Sequence, residues 1–147
     1  MPPADVTADL KTAIEDFFRA VSFESGQAPA YAAIRDLFID GGKLIRASAE
    51  IPEISSVDAF IASRQSAFDS GALTSFAEVE ITATNEVFGN VAHRFSTYEK
   101  RGMVDGAPIE GSGLISTQFV RISAHWKISS MAWDDERPGL AIPDHYR

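Results

Sequence analysis

The fold is decided by the stretch Trp126-Lys127-Ile128-Ser129-Ser130-Met131-Ala132-Trp133-Asp134. Successive side chains of a β-strand point to opposite faces of the sheet, so the pattern predicts a strand whose two tryptophans lie on opposite faces. One face, which carries Trp126 and Ile128, is expected to pack against helices. The other face carries Met131 and Trp133, which would form an apolar patch if they were left bare. We therefore predict a sheet with apolar residues on both faces.

The patch around Met131 and Trp133 has two explanations. Contiguous exposed apolar patches usually mark an interface, which favours a homodimer formed through this face of the sheet. Alternatively, the C-terminal tail folds over Trp133 and covers it within one chain. The first explanation predicts a second copy of the chain as a partner, and the second predicts none.

Three extended runs precede this strand and complete the sheet. The four predicted runs are Leu73–Phe88, Val91–Arg101, Leu114–Ile122 and Trp126–Asp134. Gly89-Asn90 is a two-residue hairpin signal between the first two runs. The hairpin that it predicts places Asn85 opposite Arg94 and Ile81 opposite Tyr98. Residues 102–113 are expected to form a glycine-rich loop.

The first half of the chain predicts helices, because its apolar residues recur at helical spacing. Glycine and proline mark where these helices stop and start. The predicted elements are a helix from Val6 to about Ser25, a second from Pro29 to Gly41, a short strand over Lys43–Ser48, and a third helix from a Ser55 or Ser56 cap to Gly71. Helices followed by strands are typical of an α+β fold rather than of βαβ alternation.

The length fits one domain, since the chain has 147 residues. We predict a single domain over residues 1–147. Its core is expected to extend over about 7–136. Residues 137–147 form a C-terminal tail, which is expected to be draped over the domain or mobile.

The charge balance and the residue types exclude several classes of function. The net charge is −8 and the chain contains no cysteine. Phosphate binding needs a basic patch, so neither nucleic acid nor an anionic membrane is expected as a partner. Without cysteine there are no disulfides, thiolate nucleophiles or cysteine metal sites. The three histidines have no ligand spacing, so no metal and no cofactor are expected.

The start of the chain bears on location. The segment Met1–Asp5 lacks the basic and apolar regions of a signal peptide. No apolar run approaches the roughly 18 residues that a membrane-spanning helix requires. A cytoplasmic location is therefore expected.

The order and spacing of four segments resemble the nuclear transport factor 2-like (NTF2-like) superfamily, within its SnoaL-like (polyketide-cyclase-like) branch. These segments are Ala13–Val21, Asp36–Asp40, Phe88–Glu99 and Trp126–Glu136. The resemblance implies a cone-shaped, cystatin-like fold, in which N-terminal helices pack on a curved antiparallel sheet around a pocket, commonly as a dimer. This fold hosts enzymes and non-enzymes alike, so the resemblance implies no single activity.

The chemistry of two branches of the superfamily can be compared with the chain. Ketosteroid isomerases need a carboxylate base, a tyrosine and a protonated acid, and the resemblance places Arg46, Phe18 and Thr117 at those positions. Arginine stays protonated and phenylalanine has no donor, so isomerase activity of that type is not expected. Scytalone dehydratase-like chemistry needs pocket histidines. His93 is a candidate, although alternation places it on the face opposite Arg94, where a lone strand histidine is usually a surface or interface residue.

The same alternation predicts which polar residues enter the pocket. The resemblance implies that Arg94, Ser96 and Tyr98 point inward. The ligand-binding candidates are Arg94, Tyr98, Gln118, Asn85, Arg46, Phe18 and Tyr31. A buried guanidinium is costly unless it is paired, and its fork suits a carboxylate. One hypothesis is therefore a pocket in which Arg94 holds a small acid or a polarised carbonyl compound. The alternative is that Arg94 forms a salt bridge to a helix acid such as Asp36 or Asp40.

Two kinds of function fit this pocket. The first is a small-molecule-binding domain, which as an enzyme would act by lyase or isomerase chemistry. Its catalytic candidates are Tyr98 as proton donor, Asp40 as a distant base, and His93. The second is a non-catalytic dimeric module that sequesters a ligand or binds a protein. An open cavity with a perturbed titratable group favours catalysis, whereas a filled or neutral cavity favours binding or scaffolding.

Overall fold

The computed structural model describes residues 4–147, which form helices on one face of a single six-stranded sheet. In chain order the elements are α1 (Ala4–Val21), a 3-10 helix (Tyr31–Leu37), β1 (Phe38–Arg46), β2 (Glu53–Ser56), α2 (Val57–Asp69), β3 (Leu73–Phe88), β4 (Val91–Val104), β5 (Ala107–Ile122), β6 (His125–Asp135) and a second 3-10 helix (Asp144–Tyr146). The strand order is β2-β1-β6-β5-β4-β3. The pair β1 and β6 is parallel, so the curved sheet is mixed, and the other neighbouring pairs are antiparallel. The predicted α+β class is confirmed.

The amphipathic stripe of α1 packs on the inner face of the sheet. Leu10 and Ile14 are fully buried at its centre. The chain then joins the edge of β3, where Phe23 exchanges two backbone hydrogen bonds of 2.8 and 3.1 Å with Phe76. The Oγ of Ser22 also accepts a hydrogen bond of 3.0 Å from the backbone N–H of Glu78. The end of α1 is thus tied to the part of β3 that carries Glu78.

The middle of the first half differs from the prediction. The second helix is a short 3-10 helix, and β1 begins at Phe38 rather than at Lys43. The positive φ of Gly41 (79°) does not end a helix. It lies where the register between β1 and β6 shifts, and glycine adopts this conformation without a Cβ clash. The third helix begins as predicted, because Ser56 Oγ accepts a hydrogen bond of 3.1 Å from the N–H of Ala59.

The predicted loop over residues 102–113 is instead part of a long hairpin. The prediction is wrong because β4 continues to Val104 and β5 begins at Ala107. The turn between them consists of Asp105 and Gly106, which both have positive φ values of 51° and 77°. Gly102 lies inside β4, where a Cβ would come within 2.5 Å of the Ser75 carbonyl oxygen. A glycine-rich sequence here reflects close strand packing rather than a loop.

A single-residue bulge in β3 changes which side chains face the helices. Ile81 is the extra residue, since Glu80 pairs with Tyr98 and the next pair begins at Thr82. The predicted pairing of Ile81 with Tyr98 is therefore wrong. An inserted residue moves the side chains beyond it to the opposite face. As a result Glu78 and Glu80 point inward, where regular alternation from the hairpin would place Val79.

A second bulge, in β6, has the same effect at the other side of the sheet. Ser129 is extra, because Gln118 pairs with Ser130 and Phe119 pairs with Ile128. The prediction that the two tryptophans lie on opposite faces is wrong, and both pack against the core. Met131 is fully buried there. The ring of Trp133 packs edge-on against Phe60 of α2, with 6.3 Å between centroids.

Met131 and Trp133 were expected on the outer face of the sheet, where they would form a homodimer interface. Both lie on the inner face instead. The C-terminal tail lies across that outer face, as one of the two alternatives predicted, but it covers Phe95 rather than Trp133. The ring of Tyr146 lies 5.2 Å from that of Phe95, and Ile142 is buried. Homodimer formation stays a prediction, but the apolar patch of Met131 and Trp133 no longer supports it.

No helix in the described part of the chain, residues 4–147, has both the length and the apolar character needed to cross a membrane.

Candidate active site

A cavity of ≈ 280 Å³ lies between the two α-helices and the inner face of the sheet. Its apolar wall is aromatic for the most part, with Phe17, Phe60, Phe76, Ile115 and Trp133. A neighbouring cleft of ≈ 320 Å³ shares Phe60 and Trp133 with it. Together they match the usual make-up of a small-molecule site, an apolar concavity with a few polar groups.

Glu78 is the acidic group in the wall of this cavity. It is partly buried, and within residues 4–147 its carboxylate has no hydrogen-bond or ion-pair partner. Burial raises the pKa of Glu78 from 4.5 to about 7, although the positive charges of Arg64 and Lys100 oppose the shift. At neutral pH this carboxyl group is therefore both a proton acceptor and a proton donor.

Lys100 lies directly opposite Glu78 on β4 and also lines the cavity. Its Nζ donates to both carboxylate oxygens of Asp135, at 2.9 and 3.0 Å. Burial acts to raise the pKa of Asp135, but hydrogen bonds from Tyr98 and Lys100 outweigh it and hold that pKa below its usual value. Asp135 is thus an ionised support for the lysine.

Tyr98 also contacts Asp135 and helps to fix the position of its carboxylate. Its hydroxyl donates to the carboxylate of Asp135. Burial first, and then the bond to Asp135, raise the pKa of Tyr98 well above its usual value of 10.0. The phenol therefore stays protonated and holds Asp135 in place. Gly113 makes room for it, because a Cβ at that position would lie 2.6 Å from Tyr98 Cζ.

The two arginines at the cavity differ in their partners. Arg46 is occupied, since its Nε and Nη2 donate to the two carboxylate oxygens of Glu53 at 3.0 and 2.7 Å. The guanidinium of Arg64 has no hydrogen-bond or ion-pair partner among residues 4–147. It lies instead over two rings, 5.0 Å from the centroid of Phe60 and 5.6 Å from that of Phe76.

A second charged cluster lies on the same face of the sheet, and here it is called the closed cluster: Glu80, Asn85, Arg94 and Ser96. Arg94 donates to both carboxylate oxygens of Glu80, at 2.9 and 2.5 Å, and to Asn85 Oδ1 at 2.9 Å. Ser96 Oγ donates to Glu80 at 2.6 Å. The side chains of Arg94 and Glu80 are only 5% and 9% exposed. Each of the three guanidinium nitrogens of this arginine donates a hydrogen bond within the protein.

The structure thus separates the predicted ligand-binding residues. Tyr98 and Arg94 point inward as predicted, and Asn85 lies opposite Arg94. The partner of Arg94 is a strand acid, Glu80, and neither Asp36 nor Asp40. Since Arg94 is buried against Glu80 and does not line the cavity, the prediction that it holds a ligand there is not supported by its position. Arg46 does line the cavity.

Three other predicted site residues lie elsewhere. Gln118 is exposed on the outer face of β5, because the residue that points inward next to it is Thr117. His93 is also exposed on the outer face, where its Nε2 lies 2.8 Å from Glu86. Asp40 is exposed and does not line the cavity. None of these three can serve as a pocket residue in this arrangement.

The predicted wall residues Phe18 and Tyr31 are buried, but they belong to the core rather than to the cavity. The hydroxyl of Tyr31 has no hydrogen-bond partner in the described residues. Burial raises its pKa from 10.0. It is therefore a neutral phenol in the core.

Sequence reasoning missed Glu78, Lys100, Asp135 and Arg64. Regular alternation would place Glu78 and Asp135 on the outer face, but each lies beyond a bulge. Lys100 lies an even number of residues from Arg94 and Tyr98 along β4, so alternation puts it on the same face as these two residues. Arg64 lies on the apolar side of α2 beside Phe60, and a charged residue in an apolar stripe was the signal available for it.

Known structures share the fold of this chain, whereas no protein-family model and no curated protein sequence matches it. A candidate aromatic ring hydroxylase from Novosphingobium aromaticivorans is 15% identical, covers 94% of each chain and has a TM-score of 0.79. An NTF2-like protein from Prochlorococcus marinus is 16% identical, with 89% of this chain and 93% of that chain covered and a TM-score of 0.71. A hexachlorocyclohexane dehydrochlorinase from Novosphingobium barchaimii is 10% identical, with 90% and 88% covered and a TM-score of 0.74.

At these identities the likeness shows the fold alone. The chain has the NTF2-like, cystatin-like fold, and the fold implied by the resemblance is confirmed. The neighbours with this fold include proteins with enzyme names. Their differing names agree with the rule that function belongs to the site rather than to the fold.

Proposed function

We propose that the chain is an acid–base enzyme that transfers a proton on a small carbonyl compound or acid in the cavity, with Glu78 as the proton-transfer group. The observation that supports this most strongly is the carboxyl group of Glu78 in the cavity wall, which has no partner among residues 4–147. Its pKa of about 7 is suited to general base and general acid catalysis at neutral pH. An open cavity with a perturbed titratable group favours catalysis over simple binding.

The proposed step begins with the ionised form of Glu78. Its carboxylate takes a proton from a carbon next to a carbonyl group, and the electrons of the broken C–H bond move to the carbonyl oxygen. Where the substrate also has a β,γ double bond, the resulting enolate takes the proton back from Glu78 at the γ-carbon and the double bond moves to the α,β position, which is an isomerisation. Alternatively it expels a leaving group from the neighbouring carbon, which is an elimination. Either route belongs to the lyase or isomerase class.

Lys100 is the group that fits the negative charge of the enolate. It lines the same cavity, opposite Glu78. Two of its N–H bonds are directed at Asp135, which leaves the third for an oxygen of the substrate. A preorganised positive group at the place where charge develops lowers the barrier. Asp135 and Tyr98 position this lysine and do not touch the reacting atoms.

The size of the cavity favours a small substrate. Its volume of ≈ 280 Å³ is at the lower end of the range of about 300 to 1,000 Å³ that is usual for ligand pockets. The aromatic wall suits a short apolar chain. The names of the structural neighbours support no particular substrate, since identities of 10% to 16% carry the fold alone.

The proposal is tested by deuterium exchange. The wild-type protein is incubated in D₂O with a panel of small ketones and oxo acids, and the loss of each C–H signal next to the carbonyl is followed by proton NMR. We expect at least one compound to exchange faster with the wild type, and Glu78→Gln to slow this exchange by about 10²- to 10⁴-fold. Glu86→Gln, the same change on the outer face of the same strand, is the matched control and should exchange at the wild-type rate.

Equal exchange by the wild type and Glu78→Gln on every compound of the panel would contradict the proposal. Exchange that is lost in both glutamine variants would point to an unspecific effect of the substitution and would contradict it as well.

A further inference from the structure

We propose that Arg64 binds a carboxylate of the ligand, so that the site takes small oxo acids in preference to neutral carbonyl compounds. This inference rests on the proposed function of the same cavity and names the class of its substrate.

Three basic side chains line the cavity, and two of them already pair with a carboxylate of the chain. Both oxygens of Glu53 accept from Arg46, and both oxygens of Asp135 accept from Lys100. Arg64 lines the cavity and the neighbouring cleft, yet among residues 4–147 its guanidinium has no hydrogen-bond or ion-pair partner. Its donors therefore remain for a group that comes from outside the chain.

The surroundings of Arg64 hold its guanidinium in a defined position. The Cζ atom lies 5.0 Å from the ring centroid of Phe60 and 5.6 Å from that of Phe76. Contacts of this kind stabilise the cation, and they pair none of its N–H groups with a hydrogen-bond acceptor. The five N–H donors in the plane of the group suit a carboxylate, which they bind through two parallel hydrogen bonds.

Glu78 lies in the wall of the same cavity as Arg64. The two side chains form no direct ion pair within 4.0 Å in the described chain. The charge of Arg64 nevertheless acts on Glu78 and lowers its pKa against the effect of burial. A short molecule can therefore lie between the two groups. With its carboxylate on Arg64, an oxo acid would present the C–H bonds beside its ketone to Glu78.

The test compares each acid with its uncharged form. The probes are pyruvate, 2-oxobutanoate, acetoacetate and levulinate, each paired with its methyl ester, and binding to the full chain is measured by isothermal titration calorimetry. We expect at least one acid to bind about tenfold more tightly than its ester, the effect of a single charge-assisted pair. Arg64→Met, which keeps a long apolar side chain, should bind that acid and its ester equally. Arg64→Lys keeps the charge without the fork and should retain part of the preference.

Arg35→Met is the matched control, because Arg35 forms an exposed pair with Asp58 and does not line the cavity. It should keep the wild-type preference. The inference is overturned when no acid binds more tightly than its ester, or when Arg64→Met keeps the wild-type preference.

The outcome for Arg64 is separable from that for Glu78. Glu78→Gln removes a negative charge from the cavity, so it should bind the acid at least as tightly as the wild type. Selective binding of an acid without any deuterium exchange would refute the proposed proton transfer and leave the carboxylate site intact. Exchange of oxo acids that Arg64→Met does not change would refute the carboxylate site alone.

Discussion

Glu80 and Glu78 lie two residues apart on the same face of β3, yet their surroundings are opposite. Glu80 accepts hydrogen bonds from Arg94 and Ser96 in the closed cluster. Glu78 faces the cavity without a partner in the described chain, and its pKa is raised by burial. A carboxylate that its neighbours saturate holds the sheet together. A carboxylate left unsaturated beside an open space costs stability and is free to react.

The largest effect is expected from breaking the closed cluster. Arg94→Met should leave the carboxylate of Glu80 buried without its cation, which lowers the free energy of unfolding by about 3 to 5 kcal/mol. Urea denaturation measures the change. Arg35→Met removes an exposed partner of Asp58 and is the control. A loss below about 1 kcal/mol for Arg94→Met would show that the cluster does not stabilise the sheet.

The next effect concerns Glu78 and depends on pH. Its pKa is about 4.5 in the unfolded chain and about 7 in the folded protein, so the folded state binds more protons between these values. The free energy of unfolding therefore falls as the pH rises from 4.5 to 7, by up to about 3 kcal/mol. Glu78→Gln should abolish this fall, so that it equals the wild type near pH 4 and exceeds it at pH 8. Urea denaturation at both pH values measures the difference.

Glu86→Gln is the matched control for this pH dependence, because Glu86 is exposed on the outer face. A constant difference between Glu78→Gln and the wild type from pH 4 to pH 8 would mean that folding does not shift the pKa of Glu78.

A smaller effect is expected from the support under Lys100. Tyr98→Phe removes the hydroxyl that donates to Asp135, and a hydrogen bond to a charged group contributes about 2 kcal/mol. The pKa of Asp135 should also rise towards its usual value, since one of the bonds that lower it is lost. Thermal unfolding together with NMR titration of Asp135 checks both effects. An unchanged pKa of Asp135 would argue against this bond.

The smallest change in stability is expected from breaking the pair between Arg46 and Glu53. This pair is partly exposed, with side chains 42% and 59% accessible, and exposed pairs contribute little to stability because water screens them. Glu53→Gln should therefore change the free energy of unfolding only slightly, measured in the same urea experiment. A change as large as that of Arg94→Met would remove the distinction between open and closed ion pairs.

The sequence could predict which side chains share a face in a regular strand, but not in a strand with a bulge. In β4 the alternation is unbroken, so Arg94 and Tyr98 share one face, and that face points inward as the resemblance implied. The hairpin at Gly89-Asn90 fixed the pairing of Asn85 in the same way. The NTF2-like fold followed from the order of such segments.

Alternation failed where one extra residue intervenes. Ile81 and Ser129 carry no glycine or proline signal, yet each reverses the faces of the residues beyond it. Met131 was assigned to the wrong face for this reason, and regular alternation would misplace Glu78 and Asp135 in the same way. A bulge is stabilised by the burial that it achieves in three dimensions, and local sequence does not reveal it.

The proposed function depends on the carboxyl group of Glu78, which lies beside an open cavity without a partner among residues 4–147. The most direct measurement is a carbon-13 NMR titration of glutamate carboxyl groups, in which Glu78→Gln identifies the Glu78 signal. A midpoint near pH 7 is the result that the structure predicts. A midpoint near 4.5 would mean that the carboxyl group is solvated or paired, and it would contradict the account.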